Sequence, residues 1–319
     1  MLTLDEIEAG AKLVHEQMDP TPQRCWPLLC ERVGAEVWVK HENHTPIGAF
    51  KIRGGIVYMD ELRRKAPEVA GVITATRGNH GQSITTAAVK AGLSAVIVVP
   101  KANSREKNAA MRAQGAELIE HGDDFQAARE YAGEIGEDRN LHMIGPFEPT
   151  LVKGVASYCL EFLTAVPDLD TVYVPIGMGS GICAMISTRD ALGLKTKVVG
   201  VVSTGAPSYA LSFDKGEVVS TNGADTMADG IACRVPDQNA LDIILKGADR
   251  VVQVTDDQIM TAMRHYYTDT HNVAEGAGAA PLAALLSESD TMSGKRVGVV
   301  LTGSGVDVDV YQKVLAEAR

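Results

Sequence analysis

The sequence predicts an α/β protein built on parallel-rich open sheets covered by helices. Three observations carry this expectation. Short β-branched runs alternate with amphipathic stretches along the chain, the pattern of parallel strands joined through helices. The runs SAVIVVP (94–100), TVYVPI (171–176), KVVGVV (197–202) and RVGVVLTG (296–303) are nearly continuous in valine and isoleucine, as strands covered on both faces require. With 319 residues and 45% hydrophobic composition, the chain can bury a large core and is long enough for two lobes.

The elements follow in order. Thr3 and Glu6 form a capping box, and Ile7, Ala11, Val14 and Met18 recur at helical spacing, so the chain opens with an amphipathic helix. Asp19, Pro20, Thr21 and Pro22 end it. A strand then leads into KHENHTPIGAFKIRGG (40–55). GVITAT (71–76) runs through ATRGNHGQS (75–83) into a helix, and SAVIVVP and AELIEH (116–121) follow. TVYVPI runs into Gly177, Met178, Gly179, Ser180 and Gly181 and then into ICAMISTRDAL, which reads as a helix. KVVGVV, VVQV (251–254) and RVGVVLTG complete the strands, with no internal repeat or low-complexity linker.

Composition excludes several functions. A net charge of -11 argues against nucleic-acid binding, which needs clustered Lys and Arg. The five cysteines, Cys25, Cys30, Cys159, Cys183 and Cys233, are odd in number and lack a Cys-x-x-Cys pair, so neither a disulfide framework nor a zinc site is expected. The opening MLTLDEIEAGAKL is acidic, without an apolar core and basic flank, and no apolar run reaches about 18 residues. The expectation is a cytoplasmic protein with no membrane span.

Chemistry centres on Lys51. A lysine reacts as a nucleophile or base only with its amine unprotonated or in a Schiff base, and burial beside cationic groups drives it that way. Arg53, two residues on, offers such a neighbour; the alternative is one more solvated lysine. In residues 177–181, alternate glycines let successive N–H groups converge on an anion at a helix N-terminus, a phosphate cradle. The alternative is a tight turn with no ligand. A dinucleotide site is disfavoured, because Ile182 stands where its third glycine belongs and KVVGVVS ends at Ser203 and Thr204 with no acid. Gly78, Asn79 and Gly81 likewise read as either a ligand loop or a strand-to-helix turn.

The segment Phe50, Lys51, Ile52, Arg53, Gly54 resembles the Schiff-base segment of the fold type II pyridoxal phosphate (PLP) enzymes, the family of threonine and serine dehydratases, serine racemase and the tryptophan synthase β chain. ATRGNHGQS resembles the family's asparagine loop, residues 177–181 its phosphate loop, and VVLTGSG (299–305) its ring-nitrogen segment. The resemblance covers nearly the whole chain. It implies a two-lobed fold, with 1–71 and 148–319 forming the large cofactor-binding domain and 72–147 an inserted small domain. It implies pyridoxal 5'-phosphate held by Lys51, Phe50, Asn79, residues 177–181 and Thr302, with Asn79 facing the phenolic oxygen and Thr302 the pyridine nitrogen. An amino acid substrate would meet Thr76, Arg77, Gly78, His80 and Glu275, His80 in a structural role. TMADGIA (226–232) and EGAGAA (275–280) also resemble cleft-lining segments, Glu275 being either near the cofactor or a solvated or helix-capping residue.

The implied activity is a β-hydroxy-α-amino acid dehydratase with Lys51 as Schiff-base residue and Cα base, releasing a 2-oxo acid and ammonia, in a homodimer. The alternatives are β-replacement and a noncatalytic PLP-binding protein. The chain stops soon after its last strand, which leaves no room for the regulatory domain of some threonine dehydratases. The asparagine that often follows in the family's version of VVLTGSG is absent, Ser304 and Gly305 standing there, and three further positions depart from the family. Ala49 replaces the usual serine before the phenylalanine, and Ser203 stands where a metal-binding glutamate belongs, so no divalent metal is expected there. Arg77 replaces a small serine that serine racemase uses for proton transfer; an arginine cannot act as that base. It would clamp a distal carboxylate, as in 3-hydroxyaspartate, lie over an aryl ring, as in phenylserine, or pair with an internal acid or the cofactor.

Overall fold

The computed structural model describes residues 1–316. Its strands are β1 (Gln23–Cys25), β2 (Glu36–His41), β3 (Gly71–Ala75), β4 (Ser94–Val99), β5 (Glu117–Glu120), β6 (His142–Met143), β7 (Thr171–Pro175), β8 (Lys197–Ser203), β9 (Arg250–Val254) and β10 (Arg296–Leu301). They form a six-stranded sheet in the order β1-β2-β10-β7-β8-β9 and a four-stranded sheet in the order β5-β4-β3-β6. Every pairing is parallel except β1 with β2. Strands β3 and β7 are buried along their whole length, which is why their sequences lack polar alternation. The edge strands carry the charge instead: Glu117 and Glu120 of β5 are exposed, and charged edges resist pairing with another chain.

The short strands β1 and β6 carry no sequence signal of their own and went unanticipated. The first helix, Leu4–His15, has the expected reciprocal capping box between Thr3 and Glu6. It ends earlier than its apolar spacing predicts. Met18 lies beyond the helix yet is buried with Val14, Ile52, Ile56 and Val57, so the fourth apolar position reflects packing of the following turn and not another helical turn.

Lys51 also sits differently from a residue simply following a strand. Strand β2 passes through a short 3-10 turn, Glu42–His44, and Lys51 opens the helix Lys51–Lys65. The start of that helix is anchored to the end of β10: Ala49 bridges to Gly303, and the Phe50 N–H donates to the Thr302 carbonyl at 3.0 Å. Gly54 explains its own place in the motif. A Cβ there would approach the Leu151 carbonyl oxygen to 2.9 Å, and one on Gly154 would approach the Arg53 carbonyl oxygen to 2.2 Å. The helices Lys51–Lys65 and Pro149–Ala165 therefore cross at backbone contact, a distance only glycine allows.

Arg53 lies in a buried ionic cluster, away from Lys51. Its Nε donates to Glu42 at 2.7 Å, its Nη1 to Glu161 at 2.6 Å and to Ser157 at 2.9 Å, and its Nη2 to Glu42 at 3.0 Å, Glu161 at 3.0 Å and Thr21 at 3.2 Å. Lys40 donates to Glu161 at 2.5 Å. Two cations thus face two carboxylates with their hydrogen bonds made, the condition under which buried charge is tolerated. The cluster joins β2, the helix Lys51–Lys65 and the helix Pro149–Ala165, and so fixes where Lys51 begins its helix.

Candidate active site

Loops at the C-terminal ends of β3, β7 and β10 converge with the start of the helix Lys51–Lys65, the position where open α/β sheets hold ligands. They enclose a cavity of about 560 Å³ lined by Phe50, Lys51, residues 76–80, residues 177–181, Glu275 and Thr302. All the residues expected to hold the cofactor or meet the substrate therefore share one space. So do residues from TMADGIA, including Asp229.

The Lys51 amine donates to Ser180 Oγ at 3.0 Å and lies 5.0 Å from the Phe50 ring centroid. Phe50 is fixed in turn by an edge contact with Tyr158, ring centroids 6.0 Å apart. Burial alone lowers the Lys51 pKa to about 8. The expected cationic neighbour, Arg53, plays no part, because its charge is neutralised inside the cluster described above. Desolvation is the cause instead, since a low-polarity surrounding disfavours the charged amine.

Behind Lys51, residues 177–181 form a built cradle. Gly179 has a φ of +101° and precedes the helix Ser180–Ala191, whose first N–H groups have no intrahelical acceptor. A Cβ on Gly177 would meet the Gly230 carbonyl oxygen at 2.3 Å. The Met178 carbonyl is held by the Tyr209 hydroxyl at 3.1 Å. The loop is thereby shaped for an anion at a helix N-terminus.

On the opposite wall, Thr76 Oγ1 accepts from the N–H of Gly78 at 2.9 Å and of Gly81 at 3.3 Å, so its hydroxyl shapes the loop. His80 is buried with its Nε2 unpartnered. Burial, with Lys51 a smaller contributor, lowers its pKa to about 3, which keeps the imidazole neutral and agrees with a structural role. Arg77 lines the cavity half-buried, and its Nε is buried without a hydrogen-bond partner. Among the described residues no carboxylate forms an ion pair with it, so the internal-acid alternative is not what the structure adopts.

Glu275 precedes the helix Gly276–Ser287 but its side chain makes no cap. It is neither solvated nor capping: it is 2% exposed and accepts from Asn79 Nδ2 at 2.6 Å. Its other oxygen lies 3.1 Å from Lys107 Nζ, which is also 2.6 Å from Asp229. Burial raises the Glu275 pKa, with Lys107 acting against it. Sequence reasoning missed Lys107. One signal was available: Lys107 and Met111 are four apart in the helix Arg105–Ala113 and both buried, so the lysine occupies the helix's inward face. Also missed was the pair Arg234–Asp124, 2.7 Å apart across the cavity mouth.

With this geometry in view, comparison with known proteins is specific. A family model described as "Pyridoxal-phosphate dependent enzyme" matches residues 14–303. The L-threonine ammonia-lyase of Thermotoga maritima is 32% identical over 99% of this chain and 78% of that protein. That of Geobacter sulfurreducens is 36% identical over 89% of this chain and 71% of that protein. Among solved structures, the processed form of threonine deaminase isoform 2 from Solanum lycopersicum superposes with a TM-score of 0.90 at 28% identity, covering 99% of this chain and 94% of that one.

Proposed function

This chain belongs to the pyridoxal-phosphate dependent enzyme family, and on that premise we propose that it is an ammonia-lyase converting a β-hydroxy-α-amino acid of the threonine or serine kind to a 2-oxo acid and ammonia. The relatives named threonine ammonia-lyase support the reaction class, a PLP-dependent carbon–oxygen lyase. The observation that carries the reading is Lys51, a desolvated amine on the same cavity as the loop of residues 177–181, Asn79 and Thr302.

The residues present fit pyridoxal phosphate. Lys51 offers an amine with one side-chain partner, Ser180, and the glycine loop offers free N–H groups to a phosphate. Pyridoxal phosphate, when bound, supplies an aldehyde that takes up an amine and a ring that spreads negative charge developing at Cα. Lys51 would hold it and, once displaced by the substrate amine, would take the Cα proton as a neutral base. Thr302 would be the partner of the ring nitrogen; a neutral hydroxyl does not enforce ring protonation, which suits loss of a β-substituent. Asn79, braced by Glu275, would serve the phenolic oxygen. For threonine the atoms balance as 2-oxobutanoate plus ammonia, the water lost from Cβ being regained at C2.

We also propose a homodimer acting in the cytoplasm, with residues 72–147 as the inserted smaller lobe. Among the described residues no helix is long and apolar enough to cross a membrane. Sedimentation equilibrium reads the stoichiometry. The catalytic reading is tested by reducing the holoenzyme with borohydride and mapping the cofactor-bearing peptide, and by assaying ammonia and 2-oxo acid from a panel of amino acids. Cofactor on Lys51 with release of both products is expected. Cofactor on Lys107, the other lysine of the cavity, would overturn the assignment.

A further inference from the structure

The cavity carries more capacity for negative charge than a phosphate and one amino acid carboxylate require. The glycine loop and the N-terminus of the helix Ser180–Ala191 serve the phosphate. The α-carboxylate has its own station at the N-terminus of the helix Asn79–Lys90. There Thr76 Oγ1 takes the N–H groups of Gly78 and Gly81, while those of Asn79 and His80, in the first turn, lack an intrahelical acceptor. Arg77 is surplus to both.

Of the other charges of the cavity, all but Lys51 and Arg129 are settled internally. Lys107 is matched by Asp229 and Glu275, and Arg234 by Asp124. The Asp237 carboxylate caps the helix Gln238–Gly247, accepting from the Ala240 N–H at 3.1 Å. Arg77 is left half-buried with an orphaned Nε–H and no acid, in a chain whose formal charge is -11. Arg129 joins it at the rim, exposed and without an ion pair among the described residues.

A half-buried guanidinium whose buried Nε–H is unmet calls for an acceptor in its plane, and a carboxylate meets Nε–H and one Nη–H side by side. A phenyl ring would lie over the guanidinium face and leave the in-plane Nε–H unmet. The methyl group of threonine offers no acceptor at all. We propose that Arg77 is the specificity-determining residue of this site and that the substrate carries a second carboxylate on Cβ, a β-hydroxy amino dicarboxylic acid of the 3-hydroxyaspartate type. This rests on the ammonia-lyase reading. The reaction balances as 3-hydroxyaspartate to oxaloacetate plus ammonia, with water lost from Cβ and regained at C2.

The test uses the holoenzyme with threonine, phenylserine and the threo and erythro forms of 3-hydroxyaspartate. The wild type should favour a 3-hydroxyaspartate isomer in kcat/KM. In Arg77→Ser the ratio of kcat/KM for that isomer over threonine should fall by about tenfold to a hundredfold, the loss expected of one charge-assisted pair. Arg77→Lys should fall less far, since it keeps the charge but not the fork. A ratio within about threefold of wild type, or a phenylserine preference abolished by the substitution, would overturn the proposal. Binding is read independently by titrating aspartate and alanine against the cofactor absorption of the wild type. Aspartate should bind more tightly, and equal affinities count against Arg77 whether or not any variant folds. Ammonia from none of the β-hydroxy substrates would sink the ammonia-lyase reading instead, and the aspartate titration would then decide Arg77 alone.

Discussion

Asn79 donates a 2.6 Å hydrogen bond to Glu275 across 196 positions of sequence, and so the loop after β3 is tied to the start of the helix Gly276–Ser287. Lys107, from a third segment, holds the same carboxylate at 3.1 Å and Asp229 at 2.6 Å. Three parts of the cavity wall thus depend on one buried ammonium. Removing a partner from such a group leaves an uncompensated charge, which costs far more than the group contributes when matched.

Lys107→Met should therefore destabilise the protein by about 3–5 kcal/mol. Its pH dependence has a definite sign. Glu275 already has a pKa raised above 4.5 by burial, and loss of Lys107 removes the opposing influence. An acid raised in the folded state is stabilising when protonated, so the variant should lose stability as pH rises from about 4.5 through the folded pKa. Urea midpoints measured from pH 4.5 to 8 read this slope, and Glu275→Gln added to Lys107→Met should flatten it. A flat profile in the single variant would contradict the role given to Glu275.

The Lys51 pKa predicts the pH dependence of cofactor capture. The neutral amine is the nucleophile, and desolvation brings its pKa from 10.5 to about 8. Capture of pyridoxal phosphate by apoenzyme should accelerate with pH through about 8 and level off above it. Stopped-flow absorbance measures the profile. A midpoint near 10 would mean that the amine is solvated, and Lys51→Ala should abolish borohydride-stable labelling at every pH.

Much of this was legible in the sequence, for identifiable reasons. Buried parallel strands announce themselves as valine and isoleucine runs, and the loops after them line the cavity; Asn79 and Thr302 stood out in those loops only through resemblance to the family's segments, and residues 177–181 through their glycine spacing as well. The neighbours of Lys51 did not. Arg53 looked like its electrostatic partner because it stands two residues away. Once Lys51 opens a helix, residues two apart point to different faces, and Arg53 turns instead to Glu42 and Glu161. Lys107 was only faintly legible for a different reason: its spacing to Met111 puts it on the inward face of its helix, but its two carboxylates come from distant segments, so nothing local shows that it is matched.

The glycine loop, as the proposed phosphate cradle, predicts its own sensitivity. Gly179 holds a φ of +101°, and a Cβ there would meet the Ala240 Cβ at 2.7 Å. Gly179→Ala adds left-handed strain of about 1–2 kcal/mol to the steric conflict, most of it relieved if the loop shifts its N–H groups. Affinity for pyridoxal phosphate should fall by about tenfold or more, read by fluorescence titration of the apoenzyme, with thermal stability in the apo form changing less. Unchanged affinity would show that the loop does not hold the phosphate.

The ionic cluster around Arg53 makes the last prediction, one of stability. Burial pushes the Glu161 pKa up, but Arg53 and Lys40 outweigh it and the net shift is downward. A carboxylate lowered in the folded state contributes stability above its unfolded pKa and loses it as pH falls through the folded value. Wild type should therefore resist mild acid at this site. Arg53→Met removes the cation that both Glu42 and Glu161 face, and should cost about 3–5 kcal/mol near neutral pH. Without that cation, Lys40 alone of the two opposes burial and the Glu161 pKa lies higher than in wild type, so acidification should narrow the gap to wild type. Chemical denaturation of both proteins at pH 5 and pH 7.5 compares the differences; a gap that widens in acid would mean that the cluster is not held by charge.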